Sequence, residues 1–331
     1  MKASKLATAL STCIAIRRPA FVWGPPGVGK SALVAQVAAD LGVGFIDLRA
    51  ILLDPVDLRG LPFVETVDGH KFAGWATPSF LPRDGRGILF LDELNAAPQS
   101  TQAALYQLTT PPYKLGDYSL PPGWTVVAAG NRETDRAVTN RMPSALANRF
   151  VHLSLEVDAD DWTTWAIKAG VPVELVAFIR FRPELLHKFD PAQKAFPTPR
   201  SWQTVGEIFA SGPAEAVELD LYGGTVGEGA AAEFCGFLRV YRTLPSVDAI
   251  MLDPKRAKVP AASEPATIFA LCAALARKST PANFDRVVEY AARLPREFAV
   301  LLVKSAVGRD AALQQTKAFI GWSAANADVL M

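Results

Sequence analysis

Residues 24–31 read Gly-Pro-Pro-Gly-Val-Gly-Lys-Ser, a full match to G-x-x-x-x-G-K-[ST], and nothing else in the chain restricts its folding as much. Just before it lies a short apolar run, Ala20-Phe21-Val22-Trp23, of the kind that makes a buried parallel strand. Just after it comes a helical stretch, Ala32 to Leu41, closed by Gly42. A strand, a tight glycine turn and a helix in that order aim backbone N–H groups and the positive end of a helix dipole at one point. Gly24, Pro25, Pro26, Gly27, Val28, Gly29, Lys30, Ser31 and Ala32 are therefore the expected cradle for the phosphates of ATP. Lys30 reaches the β- and γ-phosphates and Ser31 holds Mg²⁺. The bland alternative, an exposed lysine after a glycine-rich turn, does not explain the flanking strand and helix.

The rest of the first half repeats the alternation. A helix is expected over residues 3–17, and strands at Gly44–Leu48, Ile88–Leu91, Trp124–Ala129 and Val151–Leu153, with a helix near 98–108. Strands alternating with helices mean a parallel sheet covered on both faces. After Leu155 the strand signals stop. Helices are expected at 158–169, 172–181, 198–209 and 230–241, followed by a polar connector at 244–265 and three or four further helices. Gly223, Gly224, Gly227 and Gly229 are read as a turn region.

The strand Ile88–Leu91 runs straight into Asp92 and Glu93. Its apolar residues bury it and leave Asp92 at the C-terminal edge, where open α/β sheets bind ligands. That sets a carboxylate beside the Mg²⁺ of Ser31, with Glu93 as the base that orients and deprotonates the attacking water. Two acids after an apolar run often mark a mere strand end; the phosphate loop upstream favours the catalytic reading.

This order of motifs, with LDEL at 91–94, a strand ending Ala129-Gly130-Asn131 and then Ala147-Asn148-Arg149-Phe150, resembles the AAA+ ATPases, more narrowly the MoxR branch that includes NorQ and CbbQ proteins. The resemblance covers about residues 5–210. It implies an α/β P-loop core of AAA+ type over 1–155, an all-α lid over 156–210 and a helical C-terminal extension over 211–331. It implies that Asn131 senses the γ-phosphate and that Arg149 is a finger placed in the neighbouring subunit's site, with Arg136 and Arg141 as alternatives. The usual branch pattern at the finger is Leu-Asp-Arg-Phe; here Asn148 replaces the Asp that would anchor the arginine. Phe196-Pro197-Thr198-Pro199-Arg200 resembles the second sensor, with Thr198 as N-cap, Pro199 as first helical residue and Arg200 aimed at the γ-phosphate of its own chain. Two inserts fit the same branch: about 54–80, where Asp68-Gly69 signals a hairpin, and a pre-sensor hairpin at about 113–124.

The implied function is a ring, expected to be hexameric, that uses ATP to remodel a protein client, with a von Willebrand factor A protein as possible partner. The alternatives are a motor on nucleic acid and a nucleotide-gated scaffold. Lys plus Arg number 34 against 33 Asp plus Glu, with no basic run, so nucleic acid has no electrostatic support. Glu93 and Arg149 argue against a scaffold that barely turns over. Three separated cysteines, no long apolar run and no leader-like N-terminus lead to the expectation of a cytoplasmic protein that does not enter membranes. His70, His152 and His187 have no metal-ligand spacing and are expected to have no catalytic role.

Overall fold

A single apolar run can bury both faces of a strand only if helices cover both sides of the sheet, and the first half of the chain folds that way. The structure, a computed structural model, describes residues 1–132, 135, 140, 142–190, 192–242, 244 and 246–327. It divides into two units, Met1–Val157 and Asp158–Met331.

The first unit runs α1 (Ala3–Ala15), β1 (Ala20–Trp23), α2 (Lys30–Asp40), β2 (Gly44–Arg49), α3 (Pro55–Arg59), β3 (Leu61–Val67), β4 (His70–Ala76), β5 (Arg86–Asp92), α4 (Gln99–Leu105), β6 (Lys114–Leu115), β7 (Tyr118–Ser119), β8 (Gly123–Gly130), α5 (Ser144–Ala147) and β9 (Val151–Ser154). Five strands form a parallel sheet in the order β2-β5-β8-β1-β9. Side chains alternate between its faces. Phe21, Leu89, Leu91, Val126 and Ala128 enter one core, while Ala20, Val22, Ile88, Phe90, Val127 and Ala129 enter the other with Leu6, Leu10 and Cys13 of α1. The register pairs Trp23 with Gly130 and Arg49 with Asp92, so the C-terminal ends of β1, β5 and β8 come out on one edge.

Both expected inserts are hairpins. β3 and β4 pair antiparallel around Asp68 (φ 52°) and Gly69 (φ 79°), the two left-handed residues that a tight two-residue turn requires. The smaller β6–β7 hairpin is pinned by Arg17, whose guanidinium donates to the carbonyls of Trp124, Leu120 and Pro121 and lies over the Tyr113 ring.

The second unit is helical: α6 (Ala159–Lys168), α7 (Val173–Phe181), α8 (Pro199–Ala210), α9 (Glu215–Val226), α10 (Glu228–Arg242), α11 (Val247–Leu252), α12 (Pro265–Lys278), α13 (Phe284–Ala291), α14 (Arg296–Arg309) and α15 (Lys317–Ala325). Phe178 of α7 lies 5.5 Å from the Trp202 ring of α8 and 5.1 Å from Phe234 of α10. Trp202 is fully buried and satisfies its indole N–H on the Leu185 carbonyl at 2.6 Å. Leu271, Leu302 and their neighbours make a further core from α11 to α15. Thr198 caps α8 in a capping box with Ser201, and Pro199 is its first residue.

The glycine-rich stretch departs from expectation. Gly223 and Gly224 lie inside α9, Gly227 (φ 85°) ends it and Gly229 is in α10. Fully buried Tyr222 and Val226 hold α9 in place, and a Cβ at Gly223 would come within 4.0 Å of Glu228 and Ala231. Those are ordinary contact distances, so Gly223 is simply helical, and the turn falls on Gly227, whose positive φ favours glycine. The connector likewise contains a helix, α11. All three cysteines are free and buried, Cys13 in the first unit and Cys235 and Cys272 in the second. Among the described residues no helix is long and apolar enough to cross a membrane.

Candidate functional site

The loop joining β1 to α2 turns on Gly27 (φ 75°) and Gly29 (φ 90°). A Cβ at Gly29 would meet nothing within 4 Å, so backbone conformation, not crowding, requires glycine there. α2 begins directly at Lys30, with no side-chain cap and no acid in its first turn. Its N-terminal N–H groups and dipole thus suit a phosphate. The Lys30 amine folds back over the loop and donates to the carbonyls of Gly24 (2.6 Å) and Pro25 (3.1 Å) and to Oδ1 of Asn131 (2.8 Å). The lysine of the loop and the polar tip of β8 therefore meet, although a hundred residues of chain separate them.

Ser31 Oγ donates to Asp92 Oδ2 at 2.9 Å, and the other Asp92 oxygen accepts from the Glu93 N–H at 3.0 Å. A hydroxyl and a carboxylate oxygen side by side form a hard donor set that fits Mg²⁺. Asp47, on the neighbouring strand β2, has its carboxyl pushed above the ordinary range, first by burial and next by the charge of Asp92, against a pull from Arg49. Two carboxylates, Asp47 and Asp92, therefore influence each other from neighbouring strands. Glu93 is exposed and sits in the left-handed region (φ 55°, ψ 32°), a conformation that non-glycine residues hold at a cost of about 1–3 kcal/mol.

Asn95 is a functional neighbour that the sequence reading missed. It is 3 % exposed and donates its amide to the Asn131 carbonyl at 2.7 Å, tying the segment after β5 to the tip of β8. A Cβ at Gly130 would fall 2.0 Å from Asn95 Oδ1, so glycine at 130 is what admits that side chain. The only signal in the sequence is a polar residue three places after Asp92.

Arg149 stands in the turn between α5 and β9. Beside it, buried Phe150 meets Phe21 edge-on at 5.5 Å. His152 accepts from the Trp23 indole at Nδ1 (2.8 Å) and, in the tautomer this implies, donates from Nε2 to the Ala147 carbonyl (2.8 Å). The histidine is a brace between the end of β1 and the turn that carries Arg149. The guanidinium lies 4.1 Å over the Tyr106 ring and donates to the Tyr106 hydroxyl. Arg136 and Arg141 lie outside the described residues. Arg200 belongs to the second unit, where it is exposed in the first turn of α8. Among the described residues no cluster of three or more His, Cys, Asp or Glu side chains is grouped to hold a metal.

Residues 20–153 match the family model "ATPase family associated with various cellular activities (AAA)". Midasin from Giardia intestinalis is 25% identical over 185 residues, which is 53% of this chain but 4% of that protein, so the chain spans a small part of that curated relative. Similar solved structures include a point mutant of RuvB from Thermotoga maritima, at 17% identity and TM-score 0.40 over 82% of this chain and 80% of that one. NtrX from Brucella abortus in complex with ADP is 16% identical with TM-score 0.42, over 96% of this chain and 65% of that one.

Proposed function

We propose, on the premise that residues 20–153 are a domain of the AAA ATPase family, that this chain hydrolyses ATP as one subunit of a ring that remodels a protein client. The observation that carries the chemistry is the convergence of Lys30, Ser31, Asp92 and Asn131 on one sheet edge through direct hydrogen bonds. Lys30 and the loop amides take the phosphates. Ser31 and Asp92 hold Mg²⁺, which when bound neutralises phosphate charge. Glu93 orients and deprotonates the attacking water, yielding ADP and phosphate. Asn131 reads the γ-phosphate through the same Oδ1 that faces Lys30.

In this reading Arg149 completes the site of the neighbouring subunit, and Arg200 reports on the γ-phosphate of its own chain from a lid over 156–210. Residues 211–331 form a C-terminal extension. The MoxR-like role, a hexameric cytoplasmic ring with a von Willebrand factor A partner, rests on the motif resemblance. The exposed β3–β4 hairpin, with Leu61, Val64 and Phe72 on its surface, is the segment this reading sends to the client.

The test mixes Arg149→Ala with Lys30→Ala subunits. The first supplies an intact pocket and the second an intact finger, so a mixed interface has one competent site. Fingers are worth roughly 10³–10⁵ in rate, so each variant alone should be nearly inactive and the mixture clearly active. No recovery in mixtures shown by cross-linking to co-assemble would overturn the trans arrangement. Stimulation by duplex DNA but by no candidate client protein would overturn the protein-remodelling part.

A further inference from the structure

We infer that Tyr106 is a positioning residue for Arg149, holding the guanidinium at the angle from which it enters the neighbour's site; this rests on the finger reading of Arg149. A surface arginine ordinarily sweeps through many rotamers. This one is fixed at both ends. At its base, Phe150 is buried against Phe21, and the Ala147 carbonyl is braced by His152. At its head, the Tyr106 ring lies 4.1 Å below the guanidinium and the Tyr106 hydroxyl accepts from Nη2. Among the described residues the buried Arg149 Nε has no hydrogen-bond partner, and the Tyr106 ring face and hydroxyl hold the guanidinium.

Tyr106 is itself anchored. It follows α4, packs against the hydrophobic core, and accepts at its carbonyl from the Thr109 hydroxyl at 2.7 Å. α4 opens a few residues after Asp92 and Glu93, at the end of the segment that Asn95 ties to Asn131. The finger is thereby seated on the same stretch of chain that carries the acids of its own subunit's pocket. Two consecutive sites around the ring share one short element.

The readout must separate finger delivery from folding and from ATP binding. Tyr106→Ala should lower turnover about tenfold or more, the scale of a lost cation–π contact plus a charged hydrogen bond, with little change in the half-saturating ATP concentration. Tyr106→Phe keeps the stack and the fold and should lose a smaller part. The decisive experiment compares two finger donors for Arg149→Ala pockets: Lys30→Ala subunits, and subunits carrying both Lys30→Ala and Tyr106→Phe or Tyr106→Ala. The inference expects the Lys30→Ala donor to restore activity and the Tyr106 donors to restore it less, the alanine least. Equal rescue by all donors overturns the inference while leaving the trans finger standing. Failure of the plain Lys30→Ala donor to rescue is instead the failure of the finger reading. A Tyr106→Ala donor that does not co-assemble leaves the decision to Tyr106→Phe.

Discussion

At the scale of single residues, the site separates binding from chemistry. The Lys30 amine is the hub of three hydrogen bonds across the loop and β8. Lys30→Ala removes the one full positive charge the loop brings to the phosphates, and ATP affinity should fall by roughly 10- to 10²-fold, given that a hydrogen bond to a charged group is worth about 1.5–3 kcal/mol; a binding titration measures it. Glu93→Gln leaves that cradle untouched and should retain ATP while turnover falls by about 10²–10⁴; single-turnover hydrolysis at the wild-type rate would remove Glu93 from the role of base. Gly130 and Asn95 make a coupled pair. Gly130→Ala pushes a methyl group onto Asn95 Oδ1 and should cost about 1–3 kcal/mol, less when Asn95 is also alanine. Denaturant unfolding of the double-mutant cycle checks this, and strictly additive costs would refute the coupling. The residues of the phosphate loop and the acidic pair were legible because short-range spacing encodes them. Asn95 and Tyr106 were not, since each acquires its role only when sheet order brings it to a residue some forty positions away. The same holds for what anchors Arg149: with Asn148 in place of an acid, the sequence named no partner, and the fold supplies Tyr106.

At the scale of elements, legibility followed pattern strength. The strands at β1, β5 and β8 are apolar on both faces, and Asp68-Gly69 carries its own turn chemistry, so their places could be read directly. α9 could not, because glycine content argues locally for a turn while Tyr222 and Val226 supply burial that only tertiary packing reveals. α8 had a signature in Thr198-Pro199, and its cap is measurable. Thr198→Ala loses the acceptor for the Ser201 N–H (3.0 Å), while the reciprocal bond, from the backbone N–H of residue 198 to Ser201 Oγ (2.7 Å), stays available. The expected cost is about 1 kcal/mol of stability, read as a lower unfolding midpoint at unchanged denaturant slope. The β3–β4 hairpin invites removal: with its apolar side chains in solvent, replacing 61–76 by a short loop should leave basal hydrolysis in place and abolish stimulation by a client.

At the scale of the whole molecule, the proposed trans role of Arg149 would make hydrolysis a property of the assembly. Rate per subunit should climb with protein concentration and level off when rings are complete, whereas a constant rate down to demonstrably monomeric protein would refute assembly-dependent turnover. The buried thiols add a second whole-chain measurement. Burial raises Cys13 and Cys235 above the ordinary thiol range and pushes Cys272 up to about 12, so at pH 8 little reactive thiolate is available from any of them. Alkylation of the native protein should run at least about a hundredfold slower than after unfolding, since it waits on opening of the surrounding core; fast labelling in native buffer would contradict their burial. Because Cys13 lies in one unit and Cys235 and Cys272 in the other, mass-resolved pulse labelling turns them into clocks that time the opening of each half separately. Bound nucleotide would then be visible as a slowing of the first clock, with no dye, tag or engineered probe added to the chain.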